Sequence, residues 1–273
     1  MEDTLRTLVA LGFTLLLVML RLEAAQFGAA EYDEEDRDGR RPSFLRRLAW
    51  YLIGVGGVLA ILLIHPAPGS ELFMGPGDRG LAILLGFLLG AAGAAQAAAV
   101  AWYHFRRLRL PAVETYPGAL VNGIATAFVD EAVFRGALLG CLVVAGIEPV
   151  AAIVIQALIY TLATRLGAPG RDRYMFVLSL GIGLVGGWIT TVSGGFAAAF
   201  LAHGVTRFAV FLTTGHTGQL LPRGLENEDV ERRRRTPEGW RVVLARDEAR
   251  PGRVRAGAGR EGAPARERRA RGR

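Results

Sequence analysis

The chain has 273 residues, 51% of them hydrophobic and only 8% aromatic, and a mean hydropathy of +0.31. That much apolar side chain exceeds what one water-soluble core of this length holds, so a soluble enzyme is excluded unless the excess meets lipid. All 32 basic residues are arginine; they stand against 25 acids for a formal charge of +7, and the 16 arginines and 9 acids from Pro222 onward account for the whole surplus.

Seven mostly apolar runs follow in chain order: Thr4 to Leu22, Leu48 to Ile64, Gly80 to Tyr103, Gly118 to Ile147, Pro149 to Leu166, Tyr174 to Val192 and Gly195 to Thr214. Such lengths cross about 30 Å of hydrocarbon at about 1.5 Å per helical residue. None alternates as barrel strands do, so the expected fold is all-α, a polytopic helical membrane bundle of about seven spans. Met1-Glu2-Asp3 makes a poor signal-peptide start, and Arg6 and Arg21 bracket the first run as snorkelling flanks, so it reads as a retained membrane helix. The acidic stretch Glu31 to Asp38 lacks a calcium-loop pattern and reads as a solvated loop. Gly86 with Gly90, and Gly183 with Gly187, are spaced for close helix contact. Cys141 stands alone in an apolar run, which excludes a disulfide framework.

Three parts result: 1–117, N-terminal membrane helices and cytoplasmic loops; 118–214, the core helices; and 215–273, an arginine-rich tail expected to be disordered. Arginines alternate between loops. Arg37, Arg40, Arg41, Arg46 and Arg47 follow the first run, Arg106, Arg107 and Arg109 the third, and Arg165, Arg171 and Arg173 the fifth, while the intervening loops hold almost none. The rule that arginine-rich loops stay inside places the N-terminus outside and the tail in the cytoplasm of a prokaryotic cell membrane. There the tail meets anionic lipid headgroups at about 1 kcal/mol per basic residue, with no nucleic acid expected.

Charges in mid-span carry the functional information, because each costs at least about 2.5 to 3.5 kcal/mol at the bilayer centre. Asp130, Glu131 and Arg135 lie in the fourth run, His203 and Arg207 in the seventh. Glu131 and Arg135 are spaced i,i+4 for an ion pair. Asp130 then needs another partner, and a metal ion, His203 and Arg207 are the three candidates. A neutral polar cluster that only fixes helix packing is the bland alternative.

The stretch Asp130-Glu-Ala-Val-Phe-Arg135-Gly136 resembles the Glu-Glu-x-x-x-Arg motif of the CPBP (CAAX protease and bacteriocin-processing, Abi) intramembrane proteases. Gly183 to His203 is similar to that family's glycine-rich helix, turn and His-bearing helix, and Tyr160 to Thr164 occupies the place of its Phe-x-x-x-His motif. The resemblance implies a membrane-embedded site in which a glutamate, two histidines and an asparagine hold or activate a metal-bound water. Carried over by position, Asp130, Glu131, Arg135 and His203 are the candidate catalytic residues, and His203 with Asp130 the candidate ligands of a zinc-like divalent metal. Thr164 stands where a histidine is expected and Arg207 where the asparagine is expected.

These departures matter chemically. A catalytic zinc needs about three protein ligands; a threonine hydroxyl coordinates weakly and usually bonds the carbonyl one turn back. Two acids against Arg135 and Arg207 make the cluster neutral without a metal, with Arg207 compensating Asp130. His104 and His216 fall at expected helix ends. Two readings follow: an intramembrane metal-dependent endopeptidase acting on membrane-associated or lipidated peptides, and a non-catalytic relative that binds a membrane protein or lipidated peptide. The substitutions favour a degenerate site. A transporter with a proton relay is a third class, but neither an inverted repeat nor a broken helix pair supports it.

Overall fold

The computed structural model describes residues 2–29, 44–105, 107–166, 173–214, 239 and 241–245. The acidic stretch Glu31 to Asp38 and most of the tail lie outside them. The helices are α1 (Glu2–Leu22), α2 (Phe44–Ile64), the short α3 (Pro68–Glu71), α4 (Arg79–Phe105), α5 (Tyr116–Glu131), a π-helical segment (Ala132–Leu138), α6 (Leu139–Val144), α7 (Pro149–Leu166), α8 (Arg173–Ser193) and α9 (Ala197–Thr214).

Local chemistry sets several of these boundaries. The Asp78 carboxylate accepts the Leu81 amide at 2.7 Å and so caps the start of α4, and Glu148 accepts the Ala151 amide at 3.0 Å at the start of α7. Gly146 and Gly194, at φ +87° and +73°, end α6 and α8 in the left-handed conformation that glycine adopts without strain.

The fold is a helical bundle, as expected, and each apolar run coincides with helix. Five of the helical stretches, Asp3–Ala25, Phe44–Ile64, Arg79–Tyr103, Phe176–Ser193 and Ala197–Thr214, are long and apolar enough to cross a membrane by length and composition among the described residues. Large apolar side chains such as Leu16, Leu63, Phe87, Leu88 and Trp188 face outward from them, as lipid contact requires. The other two expected spans are the stretch from α5 through α6, which carries three charges, and α7, whose apolar part, Pro149–Thr164, is shorter. Length and composition thus support five of the seven spans.

One feature departs from an all-helical reading. Arg107–Leu110 (β1) pairs antiparallel with Arg241–Ala245 (β2), Arg107 opposite Ala245 and Leu110 opposite Arg241. The disorder expected of the tail therefore does not hold for these five residues. Val242 to Leu244 are β-formers, and β1 offers them unpaired backbone groups at the end of α4.

Small residues let the helices approach closely. On α4 a Cβ at Gly86 would meet Leu201 at 2.8 Å, and one at Gly90 would meet Val205 at 2.9 Å, which seats α4 on α9. On α8 a Cβ at Gly183 would lie 2.8 Å from that of Ala157 and 2.9 Å from its backbone, which seats α8 on α7. A Cβ at Gly181 meets nothing within 4 Å. Gly183→Ala should therefore cost about 1 to 3 kcal/mol through overpacking, whereas Gly181→Ala should leave stability unchanged or slightly raised, both read by thermal unfolding in detergent.

Candidate functional site

The charged residues of the fourth and seventh runs come together, one pair as expected and the others not. The two adjacent acids diverge, because successive helical residues point about 100° apart. Glu131 faces α9, where one carboxylate oxygen meets His203 Nδ1 at 2.6 Å. Its other oxygen lies 3.1 Å from Arg135 Nε, the expected i,i+4 ion pair.

Asp130 faces α1 instead. Its Oδ1 lies 2.8 Å from Nε of Arg21, in the last turn of α1, with both side chains buried. This corrects one expectation, because Arg21 is not a snorkelling flank, and it gives Asp130 a partner that was not among the three candidates. The cause is tertiary. Ala10, Thr14, Leu17 and Arg21 of α1, with Ala24 in the turn that follows, are spaced four, three, four and three and form one buried face. Three small or medium side chains on that face let α1 pack against the bundle, so its last turn delivers a guanidinium to the level of Asp130.

Arg135 lies in the π-helical segment, where the widened turn accommodates a large side chain without exposing it. Its guanidinium stacks 3.9 Å over the ring of Tyr160 and donates from Nη2 to the Ile182 carbonyl at 3.3 Å. Gly186 makes room for it, since a Cβ there would lie 2.9 Å from Nε. Arg207 donates from Nη2 to Asn122 Oδ1 at 3.4 Å, and the Asn122 amide reaches the Tyr51 hydroxyl at 2.6 Å. Thr164 donates its hydroxyl to the Tyr160 carbonyl at 2.9 Å, so it closes on its own helix.

Between α4, α8 and α9 lies a cavity of about 440 Å³ with chiefly apolar walls, among them Leu89, Leu178, Ile182 and Ala202. Glu131 and His203 are the ionisable residues that line it; Asp130, Arg135 and Arg207 do not. Neither this cavity nor a place for Arg21 in the site is part of the sequence reading.

The arrangement does not fit the metal that the resemblance implies. Glu131 and His203 supply two donors, and no group of three or more His, Cys, Asp or Glu able to hold a metal ion exists among the described residues. Thr164 spends its proton within its helix, Asp130 is held by Arg21, and a guanidinium cannot coordinate a cation. Among the described residues Arg21 joins the two acids and two arginines expected in the cluster as a further buried cation.

Comparison with known proteins supports the resemblance. Residues 112–209 match the family model described as type II CAAX prenyl endopeptidase, Rce1-like. The match confirms the CPBP resemblance over α5 to α9 and, at the level of the family, points to CAAX protease-type intramembrane endopeptidases. No curated protein and no solved structure matches the chain. Arg21 lies outside the matched residues, so its pairing with Asp130 comes from the helices that precede them. Removing it by Arg21→Met should leave a buried unpaired carboxylate and cost about 3 to 5 kcal/mol of stability in detergent, whereas Arg6→Met, which removes a half-buried bond to the Ile64 carbonyl, should cost about 1 kcal/mol.

Proposed function

We propose that this chain is a membrane-embedded endopeptidase of the CAAX protease type, acting on membrane-associated or lipidated peptides through a Glu131–His203 pair. The observation that carries the reading is the 2.6 Å contact between these two side chains at the wall of an apolar cavity. A carboxylate only accepts hydrogen bonds, so Nδ1 donates to Glu131 and Nε2 is left as the basic nitrogen of the ring. Arg135 holds the second oxygen of Glu131, which fixes the carboxylate and through it the imidazole.

In this role His203 Nε2 takes a proton from a water whose oxygen attacks the scissile carbonyl carbon. The C–N bond then breaks as the same nitrogen returns the proton to the leaving amine. The apolar walls hold the hydrophobic part of the substrate and keep bulk water away, and Asp130 serves structure through Arg21. No step is assigned to a metal, because the donor set does not fit one.

A second reading, a non-catalytic relative that binds a lipidated peptide or membrane protein, is favoured by one observation. The residues at the positions of the family's first acid and first histidine, Asp130 and Thr164, are both committed elsewhere. The arginine pattern further supports an outside N-terminus and a cytoplasmic tail at anionic headgroups. Reporter fusions should read the tail as inside; a tail reporter active only outside would overturn that orientation.

Cleavage of a lipidated peptide in proteoliposomes separates the two readings. Hydrolysis predicts turnover that falls about 10²-fold or more in Glu131→Gln and His203→Ala and is unchanged by a chelator. Peptide binding without turnover would establish the second reading instead.

A further inference from the structure

Two neighbouring glycines of α8 make room for polar side chains from two different elements. A Cβ at Gly186 would lie 2.9 Å from Nε of Arg135, in the π-helical segment, and one at Gly187 would lie 3.0 Å from Oε1 of Gln156, on α7. Adjacent helical positions therefore seat the guanidinium and the amide next to one another. Gln156 also stands one turn before Tyr160, whose ring lies beneath that guanidinium. Thr190 joins the group from α8: Gly183, Gly187 and Thr190 are spaced four and three, so they share the face that packs on α7.

Arg135, Gln156 and Thr190 are each 0% exposed. Glu131, Tyr160 and the Ile182 carbonyl engage part of Arg135. Its Nη1, both polar atoms of the Gln156 amide and the Thr190 hydroxyl have no hydrogen-bond partner among the described residues. Thr190 stands apart from the other buried hydroxyls. Thr14, Thr126, Thr161, Thr164, Ser193 and Thr214 each donate to the carbonyl four residues back, which satisfies a hydroxyl within its own helix. Thr190 makes no such bond. Desolvating a hydroxyl, an amide and a guanidinium nitrogen at one seam is unfavourable unless they share a partner.

The chemistry of these atoms selects the partner. Arg135 Nη1 and Gln156 Nε2 only donate, Gln156 Oε1 only accepts, and Thr190 Oγ1 does both. A cation would meet the guanidinium, and an anion would meet Gln156 Oε1 and the Glu131 carboxylate that Arg135 already holds. A small neutral molecule that both donates and accepts answers the whole set. We infer that the seam between the π-helical segment, α7 and α8 binds ordered water, which accepts from Arg135 Nη1 and Gln156 Nε2 and donates to Gln156 Oε1 and Thr190 Oγ1. This site is separate from the cavity, which Arg135, Gln156 and Thr190 do not line. It needs no turnover, so it stands or falls apart from the hydrolytic reading. It ties Arg135 to α7 and α8 through Nη1 while Nε stays on Glu131.

The direct test is a density map of the full-length protein at a resolution that shows waters. It should show density about 2.7 to 3.2 Å from at least two of the four atoms. A Gln156 amide bonded directly to protein groups, with no density between it and Arg135 or Thr190, would overturn the site. Thermal unfolding in detergent gives a second reading. Gln156→Met and Thr190→Val nearly keep side-chain volume and remove the polar atoms. With water joining the groups, each variant leaves the others short of a bond, so each lowers Tm, and the double variant falls by less than the sum of the two. Groups that are merely unpaired behave in the opposite way, since each replacement removes a buried polar atom and raises Tm. A rise in Tm for either single variant, or shifts that simply add, would overturn the shared site. Thr161→Val removes a hydroxyl that closes on its own helix, so its shift should add to that of Gln156→Met; equal non-additivity there would also overturn the proposal. The map of the unsubstituted protein decides the matter should Gln156→Met fail to fold.

Discussion

The ion pair between Arg21 and Asp130 is the constraint on which the rest of this molecule depends. A carboxylate that is fully buried in a membrane bundle has to find a cation, and the one it contacts comes from the first helix. That contact fixes the depth and rotation of α1, and a helix outside the family-matched segment becomes part of the site's support. It also engages Asp130 on the side of α1. Glu131, by contrast, faces the cavity together with His203, with which it is in contact.

The π-helical segment makes this division workable. Asp130 and Glu131 end a regular helix and diverge to α1 and α9, and the wider turn that follows gives Arg135 room to fold back on Glu131 while Phe134 packs edge-on against Tyr160 at 5.2 Å. Tyr160 also lies beneath the Arg135 guanidinium, so one ring supports both an apolar and a charged neighbour. The glycines of α8 complete the seam: Gly183 admits the α7 backbone and Gly186 admits Arg135. Where the positions depart from the family's pattern, the replacements are absorbed by local bonds. Thr164 closes on its own helix, and Arg207 joins a chain through Asn122 to Tyr51.

Much of this architecture was legible in the chain because lipid imposes a strong rule: long apolar runs must be helices, and mid-span charges must cluster. The seven runs coincide with helices, the glycine pairs on α4 and α8 sit at close contacts, and the Glu131–Arg135 pair follows from spacing alone. The pairing of Asp130 was not legible, because helix ends look interfacial in a sequence and tertiary packing decides otherwise. A signal existed in the spacing of Ala10, Thr14 and Leu17, which places Arg21 on the same face as a stripe of modest side chains in an otherwise leucine-rich helix. The β1–β2 ribbon was hidden for a different reason: Arg241–Ala245 is a short β-forming island in a polar tail, and its partner lies more than a hundred residues away. The cavity has no one-dimensional signature at all, since four helices contribute to its walls.

The central claim is that the two adjacent acids have separate partners, Asp130 in structure and Glu131 at the cavity. Double-mutant cycles on unfolding free energy measure this directly, with Asp130→Asn and Glu131→Gln each combined with His203→Gln and with Arg21→Met. The account predicts coupling of at least about 1 kcal/mol for Asp130 with Arg21 and for Glu131 with His203, and values within about 0.5 kcal/mol for the crossed pairs. Strong coupling between Asp130 and His203, with none between Glu131 and His203, would contradict it and return Asp130 to the reactive centre.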